Sequence, residues 1–266
     1  METIIETKLT EQDFADLQYA KSLLENPGLA AKLTNLLGTP IEKGFEMLPR
    51  KYGVVIELAS KKSLEKALQF AVLTLGSKSP KRSQEIFHKI AVVTSGATGG
   101  AFGLSAIPME LPVSTIIMLR SIADIARSEG EDMDNPEVKL NCLQVFALGG
   151  KTIKDDAAET GYYAIRLSLS KLITDAANFI AERGLAKESA PALVKFISTV
   201  AARFGTVVSE KMAAMAVPAI GAVGGALINV IFINHFQNMA KGHFIIRRLE
   251  RKYGSEVIKN IYQKDI

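Results

Sequence analysis

The sequence predicts an all-α protein, a single helical domain without substantial sheet, and three observations carry that prediction. Apolar residues recur at helical spacing almost throughout, strand-like alternation between turn residues is nearly absent, and capping signals stand where the helical runs begin and end. One short run, "KYGVVIELAS" from Lys51, could be a strand, but a lone strand would have no partner, so helix is the better assignment.

Taken in order, "LTEQDFADLQYAKSLL" opens on Thr10 as N-cap, with Phe14, Leu17, Tyr19, Leu23 and Leu24 as its apolar positions. A second helix is expected from Ser63, with Leu64, Leu68, Phe70–Val72 and Leu75 inward and Gly76 as its stop. A helix starting near Pro112 follows. In "DNPEVKLNCLQVFALGG", Asn135 or Asp134 caps, Pro136 takes the first turn where its missing N–H costs nothing, and Gly149–Gly150 end the helix. Further helices are expected at roughly 162–183, 191–208, 212–238 and 244–253.

Composition narrows the function classes. With 48% hydrophobic and 23% charged residues the chain is an ordinary globular one, which excludes wholesale disorder. A net charge of +4 is too small for a nucleic-acid binder unless it is clustered, and no nucleic-acid partner is expected. A single cysteine, Cys142, excludes an internal disulfide and fits a reducing compartment. The acidic, polar start "METIIETKLTEQDF" does not read as a secretory signal, and a cytoplasmic protein is expected.

Glycines set two segments apart. Gly96 and Gly100 are four residues apart, as are Gly99 and Gly103, and Gly221 and Gly225 repeat the spacing with Gly224 beside them. On a helix that spacing lies on one face and cuts a smooth groove. Each glycine costs about 1 kcal/mol relative to alanine inside a helix, so close approach of a neighbouring helix is the expected compensation. The reading is therefore two closely packed glycine-rich apolar helices; the alternative for "SGATGGAFG" is a buried loop. A phosphate loop is disfavoured, since no Lys-Ser or Lys-Thr follows and no strand precedes.

Both patches lie in charge-free windows, residues 90–109 and 212–234, which are as long as a membrane span but marginal in composition because of their glycines, hydroxyls and prolines. Basic residues flank them: Lys78, Lys81, Arg82 and Lys89 before the first, and Lys241, Arg247, Arg248, Arg251 and Lys252 after the second. The latter form an amphipathic basic helix able to lie on an anionic leaflet or to dock on the core.

The run "GLSAIPMELPVSTIIMLRSIADIARSEGEDMDNPEVKLNCLQVFALGG", with "GYYAIR", "VPAIGAVGGALIN" and "HFIIRRLERKYG", resembles the EcsC protein family. The resemblance runs from about Leu64 onward. This chain has Asn135-Pro-Glu-Val where the family usually has Asp-Pro-Glu-Val, and either residue caps a helix. The family takes its name from an operon that also encodes the two parts of an ABC transporter. The resemblance thus implies a helical bacterial protein associated with membranes or transport. Residues 63–266 are taken as the EcsC-like helical domain and residues 1–62 as a helical extension packed on it.

No catalytic apparatus is evident. Glu110, between Pro108 and Pro112, is either a first-turn carboxylate or a desolvated general acid–base group. Arg120, Asp124 and Arg127 share a helix face, as exposed pairs or as a buried anion site. His235 and His243, eight residues apart, lack the carboxylate that would complete a metal motif, and no metal or cofactor is expected. "EDMDNPE" reads as a capping turn rather than a calcium loop. Two functions follow: a non-enzymatic, membrane-associated or transport-accessory protein, peripheral at the inner face of the cell membrane and bound to an anionic surface or a membrane protein; or a soluble hydrolase-like enzyme using Glu110 with Arg120 and Asp124.

Overall fold

The computed structural model describes residues 9–25, 28–76, 107–150, 161–184, 190–217 and 221–264, the side chains of 221–224 excepted. Within these, 87% of residues are helical, in ten α-helices, with no strand. The helices are α1 (Glu11–Glu25), α2 (Leu29–Leu37), α3 (Ile41–Met47), α4 (Lys51–Thr74), α5 (Ile107–Ser128), α6 (Pro136–Gln144), α7 (Tyr162–Arg183), α8 (Pro191–Ala216), α9 (Gly221–Tyr253) and α10 (Ser255–Gln263). A 3-10 turn, Val145–Ala147, extends α6.

The caps work as their chemistry predicts. Thr10 Oγ1 accepts from the Asp13 backbone N–H and donates to the Asp13 carboxylate, a reciprocal capping arrangement. Asn135 Oδ1 accepts from Glu137 N–H at 2.8 Å, with Pro136 at the first helical position. Gly149 has φ +73°, the left-handed conformation that stops a helix.

Several boundaries differ from the sequence reading. Helix α4 joins the helical run expected from Lys51 and the helix expected from Ser63 into one, because Ile56, Ala59 and Ser60 continue the buried face of Ser63, Leu64, Ala67, Leu68 and Ala71. The division placed after residue 62 therefore falls within one unbroken helix. Helix α5 starts at Ile107 rather than near Pro112 and carries Pro112 inside it, where the ring removes one i→i−4 hydrogen bond. The helix expected over 212–238 is instead the end of α8 and the start of α9. Val217 is extended (ψ 120°), as a residue preceding a proline prefers to be, and this breaks the chain ahead of Pro218. In turn α9 absorbs the separate helix expected at 244–253.

The core centres on α9. Phe146, Phe204, Phe232 and Phe236 form one aromatic cluster with centroids 5.1–6.4 Å apart, bringing the α6 extension, α8 and α9 together. Removing any one of these rings costs about 3–5 kcal/mol. The N-terminal helices share this core through Leu17, Ala20, Leu29 and Leu33. In α1, the expected inward positions Phe14 and Tyr19 lie outside, while Asp13 lies inside.

Close helix approach through glycine occurs, but at residues the spacing did not single out. A Cβ on Gly44 would collide with the Ala213 carbonyl oxygen, so α3 rests on the α8 backbone. One on Gly242 would stand 2.6 Å from Leu24 Cγ, where α9 meets α1. Gly96, Gly99, Gly100 and Gly103 lie outside the described residues, as do the basic residues Lys78, Lys81, Arg82 and Lys89. Gly221, Gly224 and Gly225 form the first turns of α9.

Candidate functional site

The basic residues of α9 range from partly buried to exposed, and each is engaged within the chain. Arg247 donates to both oxygens of Glu131, at 2.8 and 3.2 Å, and Arg251 donates to the same carboxylate and to the Glu129 carbonyl. Arg248 bridges Glu129 and Asp16 at 2.8 and 2.6 Å. Lys252 Nζ and Tyr253 Oη donate to Asp13 at 2.6 and 2.7 Å. Hydrogen bonds from Lys252, then Tyr253 and Thr10, hold the Asp13 carboxyl well below the usual carboxylate range. Lys241 is engaged within the chain as well. Four carboxylates, two on α1 and two in the turn after α5, thus neutralise the cations expected to meet a membrane. The expected partner was an anionic leaflet; the structure supplies the anions itself.

The polar groups of the enzyme reading stay apart. Glu110 sits in the first turn of α5, where the helix dipole favours its charge, and pairs with Lys211 of α8 at 3.0 Å. Lys211 also lies 4.9 Å from the centroid of the Phe232 ring. Asp124 is fourteen residues further along the same helix, about 21 Å at 1.5 Å per residue. It pairs with Arg127 at 2.6 Å, and Arg127 also donates to the Gly76 carbonyl just past the end of α4. This pair is buried, not a surface pair, because it closes the α4 C-terminus together with Lys139, which donates to Val72 O. Arg120 is exposed over the Phe70 ring and takes no part. Among the described residues, no cleft gathers Glu110, Arg120 and Asp124.

The histidines are core residues. His235 is buried against Gly149, and burial lowers its pKa to about 4, so it is neutral near pH 7. His243 Nδ1 lies 2.9 Å from Tyr162 Oη, and burial holds its pKa well below the usual value. Among the described residues no three His, Cys, Asp or Glu side chains gather as a metal site would require. Burial pushes the Cys142 thiol up to about 12, the state of an inert core cysteine.

Another surface is open. Between α3, α4 and α8 lies a cavity of about 630 Å³, with Ala201, Ala202, Gly205 and Ser209 from α8 and Ile56 and Glu57 from α4 among its lining residues. Sequence reading did not find it, since it depends on three helices meeting. Helix α8 is the one described helix long and apolar enough to cross a membrane by length and composition, yet only 44% of its most apolar window is buried.

The EcsC protein family model matches residues 11–249. The chain belongs to the EcsC protein family. No curated protein and no solved structure matches it. The match reaches back to α1, so the EcsC unit includes the helices that sequence reading set apart as an extension. The EcsC motifs of this chain prove to be one another's partners. "GED" supplies Glu131 to Arg247 of "HFIIRRLERKYG", and "GYYAIR" supplies Tyr162 to His243 and Arg166 to Glu250, the latter bidentate at 2.7 and 2.8 Å. "FALGG" places Phe146 in the aromatic cluster, and a Cβ on its Gly150 would lie 2.8 Å from the Arg203 carbonyl oxygen.

Proposed function

We propose that this EcsC protein is a non-enzymatic, membrane-associated protein that meets the bilayer through the end of the bundle where α5 and α9 begin. The observation carrying this reading is the contrast between spent charge and unspent apolar surface. The α9 cations are engaged by carboxylates of the same chain, while Met109 (82% exposed), Val113 and Leu227 stand in solvent. The Ser121–Gln237 and Glu131–Arg247 contacts set α5 and α9 parallel with a common offset of 116 residues, so Leu227 lies level with Leu111, between Met109 and Val113. Both helices begin beside the uncharged glycine-rich windows. Attachment by a few apolar side chains at a helix end is weak and reversible, with about 0.8 kcal/mol for each buried CH₂. The separation of Glu110 from Asp124 favours this over the enzyme reading.

Liposome flotation tests it. Recovery is expected with neutral as well as anionic lipid, with little loss in high salt, and Met109→Asp with Val113→Asp and Leu227→Asp abolishes it. Failure to float with either lipid, or flotation on anionic lipid alone that salt removes, overturns it.

A further inference from the structure

The open face of α3, α4 and α8 has three properties that fit one occupant, a second copy of the same face. The first is depth. The cavity of about 630 Å³ has a floor of small residues on α8, and two of its hydroxyls are already committed: Thr206 Oγ1 donates to Ala202 O and Ser209 Oγ to Gly205 O. Hydroxyls bonded back to their own helix offer no free proton to the groove, so this part of its floor suits apolar side chains, while Ser198 and Glu210 form a polar part of the lining.

The second is the presence of matching projections beside the hole. Phe45, Val54 and Leu58 (63% exposed) stand at the rim or one position round α4 from it. A cavity and exposed large apolar groups on one face are the two halves of an isologous contact, in which the same patch serves both subunits.

The third is charge. Glu57 and Lys61 stand at i and i+4 on α4 and both line the groove, with Gly205 opposite Ser60 between them. Helices α4 and α8 run antiparallel, since α3, which leads into α4, packs at Ala213. A two-fold axis lying in the plane of the face, across the helices at the level of Gly205, sets Glu57 of each copy opposite Lys61 of the other. The same operation brings Phe45, level with Ala213, to the Ser198 end of the partner's groove. Three helices about 9 Å apart and about 22 Å of α4 give a projected face of about 600 Å². That approaches the accessible area of about 800 Å² per partner that a specific dimer buries.

We infer that this protein forms a two-fold symmetric homodimer through the α3/α4/α8 face, with Phe45 reaching the partner's groove, Val54 and Leu58 packing along the partner's α4 and Glu57 facing Lys61 across the axis. This surface lies on other elements than the proposed membrane-facing end and stands without it. The test is sedimentation equilibrium of the full chain over two decades of concentration. A monomer–dimer equilibrium is expected for the wild type. Ala202→Arg, at an exposed position of the groove, should weaken it at least tenfold with an unchanged helical circular dichroism spectrum and melting temperature. Lys61→Glu should weaken it as well, and Glu57→Lys added to Lys61→Glu should restore it, since the facing pairs are then merely exchanged. A monomer at every concentration overturns the proposal. So does a dimer with wild-type affinity in Ala202→Arg, or a Lys61→Glu defect that the exchanged pair leaves in place.

Discussion

The C-terminal half of α9 and the middle of α8 present opposite disguises. The first is dense in arginine and lysine and looks like a surface that reaches for something negative, yet its charges are answered inside the molecule by Asp13, Asp16, Glu129 and Glu131. The second is apolar and looks like the buried heart of a bundle, yet it lines an open cavity. The difference teaches that a side chain's type sets what it would bind, while its neighbours set whether it is still available. An ion pair closed within the chain contributes to folding and is withdrawn from recognition.

The strongest way to break that contrast is to remove an internal anion. Glu131→Gln leaves the partly buried Arg247 and the exposed Arg251 without their shared, buried carboxylate, and should cost about 1.5–3 kcal/mol in denaturant unfolding. It should also give the protein a new, salt-sensitive affinity for anionic vesicles. A stability within 1 kcal/mol of wild type would mean that the cations of α9 are solvated rather than paired.

At the other end of the comparison, Gly44→Ala tests the floor on which α3 sits. The added Cβ would meet the Ala213 backbone, which must move, so a loss of about 1–3 kcal/mol is expected by thermal or chemical unfolding. An unchanged melting temperature would show α3 to be loosely held.

Acid sharpens the picture for α1. The Asp13 carboxyl is depressed in the folded chain, so its contribution is complete above the unfolded value near 4 and is lost as pH falls through the folded one. Unfolding followed from pH 6 to pH 2 should show stability declining below about pH 4, and Asp13→Asn should flatten that decline. The same slope in Asp13→Asn would assign the acid sensitivity to other carboxylates.

The smallest effect belongs to the open face. Leu58→Gln exchanges one exposed side chain for another and should leave monomer stability within about 0.5 kcal/mol. A loss above 2 kcal/mol would mean that Leu58 is buried in the free monomer.

Much of the fold was legible because its signals are local. Thr10, Asn135-Pro136 and Gly149 act within a few residues of themselves, and the helix expected at 162–183 occupies those residues. Legibility fell where a local signal met a longer-range one. Pro112 looked like a start and is an interior position, while the 212–234 window looked continuous and is cut ahead of Pro218. Glycine spacing marked close helix approach at positions that lie outside the described residues or in the first turns of α9, and Gly44 and Gly242 show it elsewhere. Both stand alone, without a second glycine four residues away, and only the partner backbone reveals them.

By itself, the sequence determined that the chain is helical, where several helices begin and which EcsC motifs it carries, since propensity, capping and apolar period are settled within a turn or two of backbone. Tertiary structure alone decided which charges remain available and which apolar faces stay uncovered. Arg247 meets Glu131 across 116 residues, and Lys252 meets Asp13 across 239. A Coulomb partner at such a separation is chosen by packing, and nothing in the local pattern specifies it.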